Sequence, residues 1–385
     1  MDGSDAEQCS GWLDQARHRY INGHDGRVFD VAFSCARVSP TLASASDDNT
    51  VRVWNVSSAD QRLQQSTSCS GHQDSVLRVN WNNSGTMLAS ASADTTVQLW
   101  QLADEDAVDP PTCLQGKAVK TMQGHPEEVY ACEFLEQNHL LTASADCLFS
   151  WDIETGACIQ QASGTPGSPD QGQLPARWQP GYIFSAEAQP SGSLVATACS
   201  DGVLRVWDCQ SGQMQHVCSV PQYRGMTAAC AWDAEGHCIA SVATNGEIVV
   251  LDIRRQQPLW SASAGCSLRD CCYLPDEQGR SYLLAAAADA SLHSAYPSQG
   301  ESAQLTSCQS HAASLLCLAS SQDGHLIAMG GGTGKARHPL HISAEGQTDS
   351  DISHDNQFAI SLYSYSRQSH DAAGSLVASV SFAPL

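Results

Sequence analysis

Three stretches of the chain carry the same four types of side chain in the same order. Each contains a histidine, a serine or threonine, an aspartate and a tryptophan: His24, Ser44, Asp48 and Trp54; His72, Ser90, Asp94 and Trp100; His125, Thr142, Asp146 and Trp151. A hydroxyl, an imidazole and a carboxylate are the groups of a nucleophilic catalytic triad. A catalytic site needs this set once, so its occurrence three times indicates a repeated structural element without catalytic residues.

The three sets belong to a longer internal repeat. The segments "LASASDDNTVRVW" at Leu42–Trp54 and "LASASADTTVQLW" at Leu88–Trp100 are nearly identical, and "LLTASADCLFSWD" is a third version. A fourth unit, "GYIFSAEA" followed by "VATACSDGVLRVWD", keeps the second half and lacks the histidine. Recurrence at about 40 to 50 residues indicates an array of supersecondary units.

Each unit has the pattern of β-strands. Apolar residues alternate in short runs, as in Val28, Val31 and Phe33, and Asn-Ser-Gly or Asp-Asp-Asn turns separate the runs. No long stretch has helical spacing. A four-stranded antiparallel sheet cannot bury both of its faces alone, so we expect the units to stack face to face in a ring.

The Gly-His pairs that open the first three units and the Trp-Asp pairs at Trp151-Asp152 and Trp207-Asp208 resemble those of the WD-repeat (WD40) β-propellers. The resemblance covers about residues 16 to 330 and is strongest in the first four units. It implies an all-β fold with a single seven-bladed propeller of four-stranded antiparallel blades, or six blades as the fallback. We expect an N-terminal tail at 1–15, the propeller at 16–365 and a tail or extra strand at 366–385.

The resemblance also implies roles for particular residues. In each repeated set, the indole N–H, the hydroxyl, the imidazole and the carboxylate are expected to form one hydrogen-bonded chain within a blade. Each of these groups would cost about 1–3 kcal/mol if it were buried without a partner. The segment Ala16–Asn22 precedes the first unit and is expected to close the ring as the outer strand of the last blade.

The later units depart from the pattern. Asn245 stands where the aspartate is expected and Leu251 where the tryptophan is expected. The next unit keeps Asp289 but ends in Tyr296, and a last unit from His311 has lost both residues. These departures leave the choice between seven and six blades open.

Composition limits the partners and the compartment. The chain has 19 Lys+Arg and 41 Asp+Glu, a formal charge of −22, so we expect no direct contact with nucleic acid or an anionic membrane. A protein partner with a basic segment is one interpretation of this acidity. The 17 cysteines form no CxxC pair and no signal peptide is recognisable, which predicts an intracellular, cytoplasmic or nuclear protein.

Three other motifs do not amount to a metal or cofactor site. The segment "MGGGTGKARHP" at Met329–Pro339 lacks the first glycine and the Ser/Thr of a phosphate-binding loop. An HxxH at His338 and His341, and the cluster Cys266, Cys271 and Cys272, lack the four spaced ligands of a zinc site. We therefore expect no cofactor and no metal.

A set of large side chains follows the first apolar residue of the innermost strands. The resemblance directs this position toward the top face around the central channel, and alignment of the units places there Phe29, Leu77, Tyr130, Phe184 and Arg269. Clustered aromatic residues and arginine favour a partner-binding surface, whereas burial in the blades would make them core residues. Both interpretations remain open.

The segment "VLDIRR" suggests a second interpretation of function. Some propellers are substrate receptors of cullin-RING ubiquitin ligases and contact the adaptor through a Trp-Asp-x-Arg box. Here Asp252 and Arg254 match, while Leu251 replaces the tryptophan. We therefore expect a non-catalytic scaffold that presents its top face and loops to one or more proteins, with a ligase substrate receptor as the alternative.

Overall fold

The structure, a computed structural model of the chain, describes fourteen segments. They are residues 19–34, 41–56, 63–101, 118–135, 138–163, 181–210, 213–221, 225–275, 281–295, 304–310, 314–322, 326–332, 359–367 and 380–383. The regular elements in these segments are all β-strands. The described residues contain no helix that is long and apolar enough to cross a membrane. The fold is therefore all-β, as the sequence predicts.

The strands form one sheet per repeat unit. Strand β1, Arg19–Asn22, is described below with the sheet that it joins. From the innermost strand outward, blade 1 contains β2 Val28–Phe33, β3 Thr41–Ser46, β4 Thr50–Val56 and β5 Leu63–Ser70. Blade 2 contains β6 Val76–Trp81, β7 Met87–Ser92, β8 Val97–Gln101 and β9 Lys120–Met122. Blade 3 contains β10 Val129–Leu135, β11 His139–Ser144, β12 Cys147–Asp152 and β13 Cys158–Ser163.

The remaining repeat units follow the same order. Blades 4 to 6 contain β14 Ile183–Ala188, β15 Leu194–Cys199, β16 Val203–Asp208 and β17 Gln215–Pro221; β18 Thr227–Trp232, β19 Cys238–Ala243, β20 Glu247–Asp252 and β21 Gln257–Ser263; β22 Leu268–Pro275, β23 Ser281–Ala287, β24 Ser291–Ala295 and β25 Thr306–Gln309. The last sheet, here called the closing sheet, contains β26 Cys317–Ser320, β27 Leu326–Gly330, β28 Ala359–Arg367 and β29 Val380–Ala383 together with β1.

The innermost strands close a ring. Each packs against the next in the order β2, β6, β10, β14, β18, β22 and β26, and β26 packs against β2. Strand β1 pairs antiparallel with β28, with Arg19 opposite Leu362 and Asn22 opposite Ala359. The N-terminal strand therefore closes the ring, as predicted. Six sheets have the four strands predicted for each blade, while the closing sheet has five because β29 also pairs with β28.

The core lies between the sheets, which explains why the ring must be closed. One cluster combines Ala43, Ala45 and Val53 of blade 1 with Trp81 and Trp100 of blade 2. The small side chains of the "LASAS" strand allow the large indoles of the next blade to approach closely. The same kind of cluster recurs between blades 5 and 6 and between the closing sheet and blade 1.

A bulge begins the innermost strand of each of the six blades. The pairing register shifts between Val28 and Asp30 in blade 1, and at the equivalent point in the other five blades. The extra residues are Phe29, Leu77, Tyr130, Phe184, Ala228 and Arg269. A bulge redirects the side chain of its extra residue, and five of these six are the side chains that the sequence places around the channel.

Some predictions concern residues outside the described segments. These are the tail at 1–15, residues 333–339 of the segment "MGGGTGKARHP", the pair His338 and His341, and Tyr296 and His311. Strand β29 lies within the segment 366–385 that was expected to be a tail or an extra strand.

Deletion of residues 1–22 tests the closure. The deletion removes β1 and leaves the edge of β28 unpaired, and unpaired edges of this kind template pairing with other chains. We expect oligomers and aggregates in size-exclusion chromatography with light scattering. Truncation after Arg367, which removes β29 but keeps β28, is the matched control and should aggregate less. A monomeric product from the first deletion together with aggregation of the second would assign the closure to β29.

Candidate protein-interaction site

Blades 1 and 2 contain complete hydrogen-bonded tetrads. In blade 2 the Trp100 indole donates to Ser90 Oγ (2.9 Å), His72 Nε2 lies 2.8 Å from the same hydroxyl, and His72 Nδ1 lies 2.8 Å from Asp94 Oδ2. Blade 1 repeats the arrangement with distances of 2.9, 2.7 and 2.9 Å among Trp54, Ser44, His24 and Asp48. Hydrogen bonds from the histidine and the neighbouring threonine outweigh partial burial and hold the pKa of both carboxyls well below its usual range.

The burial of the tetrads argues against catalysis. Ser44, Ser90 and Thr142 have no exposed surface, so no substrate carbonyl can reach their hydroxyls. Each hydroxyl also accepts an indole N–H and lies within hydrogen-bond distance of the histidine Nε2, so its hydrogen bonds are made within the blade. The sets act as staples within the blades.

Blade 3 departs from the predicted tetrad. Trp151 and His125 both contact Thr142 Oγ1 (2.9 and 2.8 Å), but His125 Nδ1 donates to the Thr95 carbonyl (3.2 Å) and not to Asp146. The cause is turn length, because one residue fewer separates Asp146 from Trp151 than separates Asp94 from Trp100. Ser144 pairs with Cys147 across a two-residue turn with Ala145 at φ 51°, which does not hold Asp146 against the imidazole. Burial lowers the pKa of His125 to about 4.

Blades 4 and 6 lack the Gly-His histidine of the first three blades and pair other buried groups, Arg205 in blade 4 and His293 of β24 in blade 6. In blade 4 the Arg205 guanidinium donates to both carboxylate oxygens of Asp201, at 3.0 and 2.6 Å, and Arg205 is completely buried. In blade 6 His293 Nε2 lies 2.9 Å from Ser291 Oγ, which donates to Asp289, and 3.3 Å from the Cys266 thiol. The described residues contain no cluster of three or more His, Cys, Asp or Glu that could hold a metal ion.

The five residues predicted for the top face line a single cavity. It occupies about 130 Å³ at the upper opening of the channel, the end of the ring at which the innermost strands begin. Its walls include Phe29, Leu77, Tyr130, Phe184 and Arg269, together with Ala228 and Leu316. Leu77 and Tyr130 are 5% and 6% exposed, whereas Phe29 and Phe184 are half-buried. The two phenylalanines therefore offer most of the aromatic surface that a partner could contact.

The lower channel contains a cluster of charges. A second cavity of about 360 Å³ is lined by Asp30, Glu133, Glu187 and Asp270 with the guanidinium of Arg78. Arg78 Nε lies 3.5 Å from Asp30 Oδ2. Three of the carboxylates also accept hydrogen bonds from neighbouring blades, since Asp30 accepts Val79 N, Glu133 accepts Ala188 N and Asp270 accepts Leu318 N. These carboxylates tie the inner strands of successive sheets together.

Burial and mutual repulsion determine the protonation of this cluster. Burial is the largest effect on each acid and raises the pKa of Glu133 to about 7 and that of Asp270 to about 6. Burial and the charge of Glu133 also raise the pKa of Glu187 well above its ordinary value. The charge of Arg78 opposes these shifts, and the four acids in turn outweigh burial and raise the pKa of Arg78.

The sequence contains a signal for this cluster of charges. Asp30 in "VFDVAF" and Arg78 in "VLRVNW" are charged residues inside short apolar strands, directly after the bulge residue. A charge in such a place requires a buried partner or water. Only the ring geometry shows that Arg78 is that partner for carboxylates from four other blades.

The ligase-box residues lie at the opposite end of the blades. Asp252 ends β20, and Arg254 donates to both of its carboxylate oxygens, at 3.1 and 3.0 Å. Arg254 remains 59% exposed. The hydrogen bonds from Arg254 lower the pKa of Asp252. The arrangement is that of an exposed ion pair at a strand end.

These features define a class of protein, an antiparallel β-propeller whose first three blades are fastened by His-Ser/Thr-Trp networks. A sequence profile of the WD40 family, described as WD domain, G-beta repeat, matches residues 16–55, 63–101, 116–151 and 176–208. The chain therefore belongs to the WD-repeat proteins.

Curated relatives are similar over parts of the chain. Mitochondrial division protein 1 of Neosartorya fischeri is 32% identical over 211 residues, which are 51% of this chain and 27% of that protein. Nuclear distribution protein PAC1 of Coccidioides posadasii is 30% identical over 52% of this chain and 39% of its own length. The ribosome biogenesis protein WDR12 homolog of Chlamydomonas reinhardtii is 24% identical over 62% and 56%. The chain thus spans less than two thirds of each of these relatives.

The staples predict a difference between two aspartates. Asp94→Ala removes the acceptor of His72 Nδ1 inside a packed blade and should lower the free energy of unfolding by about 1–3 kcal/mol. Asp146→Ala is the matched control and should cost less than about 0.5 kcal/mol, because His125 does not use that carboxylate. Urea denaturation of both variants measures the difference. Equal losses would contradict the assignment of the blade 3 network.

Arg78→Met tests the charge cluster. The variant leaves three buried carboxylates and the half-buried Glu187 without their cation and should lower the free energy of unfolding by about 2–3 kcal/mol near neutral pH. The raised pKa values mean that the folded chain keeps protons that the unfolded chain has released, so stability falls as the pH rises through this range. The loss of unfolding free energy caused by Arg78→Met should therefore become smaller as the pH is lowered from about 8 to about 5.5 in denaturation experiments.

Arg255→Met is the control for a removed arginine, since Arg255 is 74% exposed and 3.8 Å from Asp252. It should change stability little at either pH. A loss for Arg78→Met that is independent of pH would mean that the carboxylates are not responsible for it.

Proposed function

We propose that this propeller is a non-catalytic scaffold that binds partner proteins at the upper opening of its channel. The observation that carries the proposal is that the extra residues of all six bulges line one cavity. The bulges turn Phe29, Phe184 and their neighbours toward the axis, where they line about 130 Å³. A partly exposed aromatic pair in a concave site is typical of an interface anchor.

The family supports a scaffold. WD40 proteins generally act as protein-interaction scaffolds. The triad-like residues of this chain form hydrogen bonds with each other inside the blades. The names of these relatives concern three different processes, namely mitochondrial division, nuclear distribution and ribosome biogenesis. Similarity therefore follows the fold and does not transfer one process to this chain. We infer protein partners inside the cell, in the cytoplasm or nucleus.

The alternative is a substrate receptor of a cullin-RING ubiquitin ligase. One observation favours it, because Arg254 is oriented by Asp252 and still exposes most of its side chain. An adaptor would contact this end of blade 5, which is separate from the upper cavity. The two functions can therefore be tested by different variants.

The double variant Phe29→Ser/Phe184→Ser tests the upper site. Truncating an interface hot spot costs about 2 kcal/mol or more, so the variant should weaken partner binding at least about thirtyfold. The measurement is affinity capture with mass spectrometry, followed by titration of each partner that the wild-type chain retains. Circular dichroism and thermal melts verify that the half-buried rings can be replaced without unfolding.

Arg254→Ala is the control at the opposite end and should leave these partners bound. Loss of a cullin and its adaptor with Arg254→Ala, but not with the double variant, would favour the ligase receptor. Retention of every partner by a folded double variant would contradict the upper site.

A further inference from the structure

An apolar patch extends from the upper cavity over blades 1 to 4. Leu77, Ala93 and Tyr130 pack together with Phe29 and Tyr182 at its edge. The Tyr130 ring makes edge-to-face contacts with Tyr182 and Phe184, with centroids 6.2 and 6.0 Å apart. We call these six residues the upper patch.

Carboxylates surround the upper patch. The upper face consists of the loops that lead into the innermost strands and the turns between the second and third strands. In blades 1 to 4 the described part of these loops contains Asp25, Asp48, Asp74, Asp94, Glu127, Glu128, Asp146 and Asp201. Among the described residues of these loops, Arg27 is the one lysine or arginine, and its side chain is buried.

The structure holds several of these carboxylates in place and ionised. Tyr182 donates to Glu127 Oε2 (2.8 Å) and Tyr130 donates to Glu128 Oε2, so two acids are fixed at the edge of the upper patch. The staple histidines keep the pKa of Asp48 and Asp94 low, and these groups stay charged near neutral pH. Asp25, Asp74 and Glu127 are exposed to solvent.

We propose that the occupant of this face is a basic segment of a partner protein. The stem of a lysine or arginine would lie across the upper patch, and its cationic head would pair with Asp74 and Glu127 in the adjacent loops of blades 2 and 3. Long basic side chains bury their methylene stems on apolar surface and are attracted to aromatic rings. This inference rests on the proposed function, because it names the chemistry of the partner for the same site.

Charge complementarity selects this occupant over an anionic one. The net charge of the whole chain is −22, and the upper loops of blades 1 to 3 add fixed negative charge next to the aromatic rings, whereas Asp201 of blade 4 is paired with Arg205. Such a field attracts a cationic segment and raises its association rate, whereas it repels an acidic peptide or a phosphate backbone.

The test uses three labelled probes and fluorescence anisotropy with the full-length chain. The probes are a peptide of alternating lysine and leucine, the same peptide with glutamate in place of lysine, and a single-stranded RNA. We expect binding of the lysine peptide alone, with an affinity that falls as the salt concentration rises toward about 0.5 M. Binding of the glutamate peptide or of the RNA at the upper face would overturn the proposal.

A pair of neutral variants distinguishes this site from general attraction to an acidic protein. Asp74→Asn/Glu127→Gln should weaken the lysine peptide about three- to tenfold. Glu154→Gln/Glu235→Gln removes two exposed charges from the opposite face, in the loop after β12 and the loop after β18, and should have no effect. Equal weakening by both pairs would overturn the proposal, because it would show that the net charge alone attracts the peptide.

The same variants separate this inference from the proposed function. A natural partner that is lost with Phe29→Ser/Phe184→Ser, but is retained without salt dependence by Asp74→Asn/Glu127→Gln, would leave the upper site standing and overturn the basic occupant. Loss of a partner with both double variants, together with recovery of its binding at lower salt, would support both the upper site and the basic occupant. Thermal melts of all the variants verify that each one is folded.

Discussion

Every sheet in this protein has two apolar faces, and only another sheet can cover them. This constraint explains why the structure is a ring. The cluster of Ala43 and Val53 with Trp81 shows that the core consists of the spaces between blades. No blade could be removed without exposing the faces of its two neighbours to water. The pairing of β1 with β28 meets a different need, since it gives part of the edge of the closing sheet a partner strand.

Closing the ring brings the innermost strands around one axis and creates a second constraint. Backbone and side-chain polar groups near the axis must find partners across blades. Asp30, Glu133 and Asp270 do so by accepting N–H groups of the next inner strand, and Arg78 offsets part of their repulsion. In an isolated sheet, the charge of Arg78 inside the strand "VLRVNW" would have no carboxylate partners from other blades. The charge becomes favourable only once the ring is closed.

The sequence predicts features that depend on local spacing better than features that depend on the ring. The tetrads of blades 1 and 2 follow from the spacing of His, Ser, Asp and Trp, and the bulge position identifies the residues around the upper cavity. The blade 3 prediction is wrong for Asp146 because it relied on residue type and overlooked a turn shortened by one residue. The Arg78 cluster and the fifth strand of the closing sheet depend on contacts between distant parts of the chain.

The distribution of staples around the ring bears on where a partner can bind with high affinity. Blades 1 and 2 have complete tetrads, blade 3 ties its histidine to the Thr95 carbonyl of blade 2, and blade 4 has the buried Arg205–Asp201 pair. Blade 5 has Asn245 and Leu251 in place of the staple residues, and apolar clusters cover its two faces. The staples connect the upper loops of blades 1 to 4 to the strands of their blades, and the upper patch lies beside these loops. Preorganisation would lower the entropic cost of binding the partner proposed for this surface, because blades 1 to 4 carry both these staples and the upper patch.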